Sequence, residues 1–169
     1  MDFYLVEALL LLIELQKPSK LLEIKMERYK LSRLLPHNKI IDYITALDED
    51  QDQDGLTTFM IYNADDYGVY LITLLDEIAK KKHTSFWYVQ LGILCTAFLP
   101  HLDGANLSAL YYYIQAHELD PKDASLLDGI LCFGQAPDFI LTEEQKKYYA
   151  AKLLALEPEN EKALAIINS

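Results

Sequence analysis

The word GILC occurs twice in this chain, at 92–95 and at 129–132. Laying the sequence on itself at a shift of 37 residues extends the match: Pro100 falls on Pro137, Tyr111 on Tyr148, Tyr112 on Tyr149, Leu119 on Leu156 and Pro121 on Pro158. Residues 87–123 and 124–160 share nine identities in 37 positions, where unrelated segments of ordinary composition share roughly two or three. A repeat of this length is one supersecondary unit used twice. Each copy is too small to hide its own apolar side and must bury it against a neighbour.

Each unit reads as two helices. Six glycines and six prolines in 169 residues are too few for the turns of a β-rich fold. In the first unit Thr84 or Ser85 opens a helix that runs to Leu99, with Leu91, Leu94 and Phe98 at helical spacing and Pro100 as its stop. A second helix follows "HLDGAN" and ends at "ELDP". In the second unit Asp123 caps "ASLLDGILCF", "GQAP" breaks it, and "TEEQ" at 142–145 is a capping box for the next helix. Asn160 opens a short last one, "EKALAIIN".

The first unit resembles a tetratricopeptide (TPR) repeat over Tyr88, Leu91, Gly92 and Cys95 in its first helix and Ala109, Tyr113, Ala116 and Pro121 in its second. At the matching places of the second unit, Gly129, Ala150 and Pro158 hold the pattern, while Ser125, Asp128, Lys146 and Leu153 depart from it. The resemblance covers residues 84–169. It implies an all-α fold, a right-handed stack of antiparallel helical hairpins forming an α-solenoid, that binds another protein and performs no chemistry.

Upstream, "PSKLLEIKMERYKLSRLL", "NKIIDYITAL" and "VYLITLLDEIAKKK" each carry apolar residues at helical spacing. "TTFMIY" at 57–62 leans towards β, yet an isolated strand has no partner, so a helix start is the expectation. The whole is expected to be one all-helical domain of eight or nine helices. Residues 1–83 form an irregular first half, 84–123 and 124–160 the duplicated hairpins, and 161–169 a terminal capping helix. Asp2 and Glu7 at the N-terminus do not suit a signal peptide, and Glu7 and Glu14 interrupt a stretch too short to span a membrane. The expected compartment is the cytoplasm. Cys95 and Cys132 sit in apolar helical context and read as buried, reduced thiols.

Charge narrows the choice of partner. The formal net charge is −11, which repels nucleic-acid phosphates. Residues 42–79 hold ten acids and no base. Such a block speeds the capture of a basic protein. The acidic docking residues expected from it are Asp48, Glu49, Asp50, Asp52, Asp54, Asp65 and Asp66. The duplication adds Tyr112 and Tyr149, which recur on the stripes Ser108–Tyr112–Gln115 and Gln145–Tyr149–Lys152 and read as an amphipathic pair suited to an interface.

Chemistry finds little support. Asp50, Asp52, Asp54 and Gly55 imitate the start of a calcium loop over 50–61, but the twelfth position is Ile61 where a bidentate glutamate is required. A solvated acidic loop is the expectation, with a weak calcium-responsive regulator as the alternative. His37, His83, His101 and His117 show no metal-ligand spacing, and His101 with Asp103 is the only acid–base pair that can be named. Phosphate-binding glycine loops and nucleophile elbows are absent from the sequence. No cofactor, metal site or catalytic residue is therefore assigned. The expected function is a non-catalytic, acidic protein-binding module. A bacterial immunity protein that caps a basic toxin such as a nuclease is its concrete form, and a chaperone or scaffold adaptor the alternative.

Overall fold

A computed structural model of the chain describes residues 37–49, 53–135 and 139–169. Among them are seven α-helices and no strand. They are α1 (His37–Glu49), α2 (Gln53–Lys82), α3 (Ser85–Ile93), α4 (Ala105–Leu119), α5 (Ala124–Cys132), α6 (Glu143–Leu156) and α7 (Glu161–Asn168). The expected helix after Pro18 lies outside the described residues, as does the N-terminal segment. The chain divides into two compact units, Met1–Leu74 and Leu75–Ser169.

In the first unit, Ile40, Ile41 and Ile44 of α1 are buried, as their spacing requires. The "TTFMIY" stretch is helical and buries Phe59 and Met60. Its β-leaning residues are overruled by the burial of Leu56, Phe59, Met60 and Asn63 at helical spacing. Asn63 satisfies its buried amide by donating from Nδ2 to the Phe59 carbonyl at 2.7 Å. The sequence suggests two helices here, and α2 is two helical stretches joined across a kink at Tyr67, whose φ and ψ of −135° and 20° are not helical. The residue after the kink is Gly68.

The second unit holds the duplicated segments. Its helices pack in chain order: α3 on α4, α4 on α5, α5 on α6 and α6 on α7. The first helix of the first copy does run on towards Pro100, but α3 gives way to a π-helical turn over Leu94–Phe98, in which the Leu99 N–H donates to the Leu94 carbonyl at 3.0 Å. Trp87, Leu91, Leu94 and Cys95 are fully buried here.

The helix ends repeat as closely as the letters do. Asp123 accepts from the Ser125 N–H at 2.9 Å, and Asn160, its counterpart, accepts from the Ala163 N–H at 3.0 Å. The residues that close α4 and α6, Asp120 and Glu157, have nearly the same backbone: φ −131°, ψ 78° and φ −130°, ψ 85°. The capping box at α6 is complete, with Gln145 N–H on Thr142 Oγ1 and Thr142 N–H on Gln145 Oε1. Thr84 opens α3 without a side-chain cap.

Candidate interaction surface

The glycine of the repeated word is explained by one ring. An ideal Cβ placed on Gly92 of α3 would lie 2.6 Å from Tyr113 Cε2, and one placed on Gly129 of α5 would lie 2.9 Å from Tyr113 Cε1. The Tyr113 ring of α4 thus has one edge on each repeated glycine. Real carbon contacts do not come so close, so both positions need a residue without a side chain. Phe133 adds a third wall, its ring tilted against Tyr113 at a centroid distance of 5.9 Å. Burial raises the Tyr113 pKa, with a smaller contribution from Cys132.

With Tyr113 turned inward, the outward face of α4 is set. It carries Leu107, Ser108, Tyr111 and Glu118. Tyr111 is 55 % exposed, and its repeat partner Tyr148 on α6 is 56 % exposed. Each lies edge-on to the tyrosine that follows it: Tyr111 to Tyr112 at 5.4 Å, Tyr148 to Tyr149 at 5.1 Å. Lys152 sits over the Tyr148 ring, 4.8 Å from its centroid.

Tyr112 and Tyr149, the tyrosines expected at an interface, are less open to solvent than the residues just before them. Tyr112 is only 8 % exposed and Tyr149 is half-buried. On a helix, Tyr112 falls beside Ala105, Ala109 and Ala116, the side that is packed, while Leu107 is exposed. Burial, followed by the neighbouring Asp76 carboxylate, pushes the Tyr112 hydroxyl up to about 12. Burial likewise raises Tyr149. Cys95 is buried, and its thiol is pushed up to about 11 by that burial. Cys132 is not buried: it ends α5 and its thiol is exposed. Both thiols are free.

Of the expected acidic residues, Asp65 and Asp66 are exposed on α2. The backbone of Asp48 and Glu49 closes α1, and that of Asp54 lies in the first turn of α2. Asp50 and Asp52 lie outside the described residues. The calcium-loop pattern does not survive as a loop, because α2 begins at Gln53 and takes in Gly55, Thr58 and Ile61. A coordinating loop needs its sixth position free to turn and its seventh carbonyl free to point at the ion. Here Gly55 and Leu56 are helical.

His101 and Asp103 are both exposed in the turn before α4. Among the described residues, no three or more His, Cys, Asp or Glu side chains converge on a metal position. No helix there is long and apolar enough to cross a membrane. His117, unremarkable in the sequence, is 6 % exposed in the last turn of α4, and its Nδ1 has no hydrogen-bond partner among the described residues. Burial lowers its pKa, and Lys152 lowers it further against the weaker pull of Glu118 and Asp120.

A polar tie joins α7 back to α5. Lys162 Nζ donates to Asp128 Oδ1 at 2.9 Å, to the Asp128 carbonyl at 3.1 Å and to Cys132 Sγ at 3.3 Å. Burial pulls the Lys162 pKa down, but its bonds to Asp128 and Cys132 outweigh this and leave it raised. The lysine reaches across 34 residues of sequence to Asp128, a contact that no local pattern announces. Compared with known proteins, the chain matches no family model, no curated protein and no solved structure.

Proposed function

We propose that the chain is a protein-binding module built from TPR-like helical hairpins stacked as a solenoid, and that it docks a basic protein partner. The observation that carries this reading is the pair Tyr111 and Tyr148, held open to solvent at the same place in both copies of the repeat. A tyrosine costs little entropy to fix and offers both an apolar face and a hydroxyl, so it is a favoured anchor at interfaces. Two of them at one register also present a repeating surface, which is how repeat proteins contact extended partners. The acid excess, including exposed Asp65 and Asp66, supports a basic partner. An immunity protein that covers a basic toxin is the concrete form of this reading. The chain carries no assigned catalytic residue in it.

The test is affinity capture by the full chain from its native cell, followed by titration of what is captured. A basic protein should bind with an affinity that falls as salt rises. Tyr111→Ala with Tyr148→Ala should weaken it by one to two orders of magnitude, about 1.4 kcal/mol for each tenfold. Equal binding by the double variant removes the tyrosine surface from the reading. An acidic partner, or binding indifferent to salt, removes the charge argument.

A further inference from the structure

The Lys162–Cys132 contact stands apart from the tyrosine surface and serves no purpose there. We propose that Cys132 and Lys162 form an oxidative crosslink, a sulfenamide between Sγ and Nζ, that clips the terminal helix α7 onto α5. The two side chains already stand together: Nζ lies 3.3 Å from Sγ, to which it donates, and is held in place by two bonds to Asp128. The thiol is exposed, so a small oxidant reaches it. An ammonium beside an accessible sulfur is the usual setting of oxidation-prone thiols. Cys95 supplies the contrast, because its thiol is fully buried and unreachable.

The oxidant is a hydroperoxide. In the first step the Cys132 sulfur attacks one peroxide oxygen and the O–O bond breaks, giving the sulfenic acid and one molecule of water from hydrogen peroxide. Sulfur is oxidised by two electrons and the peroxide is reduced by the same two. In the second step the Lys162 ammonium first gives one proton to solvent, and the freed nitrogen lone pair attacks the sulfenic sulfur. The S–N bond forms as the S–O bond breaks, and the departing hydroxyl leaves as water with a second nitrogen-bound proton. A thiol restores both side chains by attacking the S–N sulfur and then exchanging the mixed disulfide to release Cys132. The consequence is mechanical. Helix α7 otherwise rests on the small cluster of Leu127, Leu131, Ala150, Leu153 and Ala163, and a covalent bond from Lys162 to the end of α5 removes its freedom to fray.

Treating the full chain with hydrogen peroxide and measuring intact mass without reductant tests this. The expected product is lighter by two hydrogens. Peptide mapping should join the Cys132 peptide to the Lys162 peptide, with trypsin refusing to cut at residue 162, and dithiothreitol should reverse it. Lys162→Arg, which keeps the charge and the bond to Asp128, should lose the product and stop at oxidised Cys132. Cys132→Ser should lose it altogether. Amide exchange in α7 should slow in the crosslinked protein. Mapping that instead joins Cys132 to Cys95 or to a second chain, or that finds Cys132 carried to sulfinic acid with Lys162 free, overturns the proposal. So does a Cys132 that resists peroxide.

Discussion

Tyr111 and Tyr148 stand at one position of a repeated unit, each edge-on to its following tyrosine and each more than half open to solvent. Truncating an exposed ring costs the fold little. Tyr111→Ala and Tyr148→Ala are expected to change unfolding free energy by no more than about 0.5 kcal/mol each. Tyr112→Ala, which empties a buried site, is expected to cost about 3–5 kcal/mol. Urea denaturation of the three variants checks the difference. Equal losses at 111 and 112 would mean that the outward face of α4 is wrongly placed.

The capping box of α6 gives a local prediction. Thr142→Ala removes the acceptor for the Gln145 N–H and frees the reciprocal bond to Oε1. The expected loss is about 1 kcal/mol, with faster amide exchange confined to the first turn of α6. Asp123→Ala should do the same for α5, where Oδ1 accepts from both the amide and the hydroxyl of Ser125.

His117 makes stability depend on pH with a definite sign. Its folded pKa is lowered from 6.5 by burial and by Lys152, so the unfolded chain takes up the proton first. The stabilisation is complete above pH 6.5 and is lost as pH falls through the folded value. The slope in that window cannot exceed one proton, about 1.4 kcal/mol per pH unit. Denaturation midpoints measured on either side of pH 6.5 should show this component, and His117→Gln should remove it.

Much of the second unit was legible in advance, for reasons that differ from residue to residue. Asp123, Thr142 and Asn160 were readable as caps because capping is a local exchange between a side chain and amides two or three residues on. The period was readable because nine letters recur at a single shift of 37. The face of α4 was legible in part: the repeat pattern puts Tyr113 between helices, where Gly92 and Gly129 meet its ring, but which of Tyr111 and Tyr112 is buried depends on the packing around Ala105, Ala109 and Ala116. The apolar helical context of Cys132 suggests a buried thiol, but α5 ends there while the first copy continues through a π turn. The Lys162 tie and the orphaned Nδ1 of His117 depend on non-local packing, which periodicity does not encode. In the first unit the acidic pattern at 50–54 suggested a loop, whereas the buried run Leu56, Phe59, Met60 and Asn63 carries the helix back to Gln53.

The packing of α4 between α3 and α5 turns on the glycine–tyrosine–glycine contact, and a double-mutant cycle by urea denaturation tests it most directly. Gly92→Ala places a Cβ 2.6 Å from the Tyr113 ring, and the ring cannot retreat because Gly129 holds its other edge. The expected cost is about 1–3 kcal/mol. In a Tyr113→Ala background the same substitution meets no ring, and the better helix propensity of alanine should then leave it neutral or stabilising by up to about 1 kcal/mol. Loss of the penalty in that background is the predicted result; an equal penalty with and without the Tyr113 ring would contradict it.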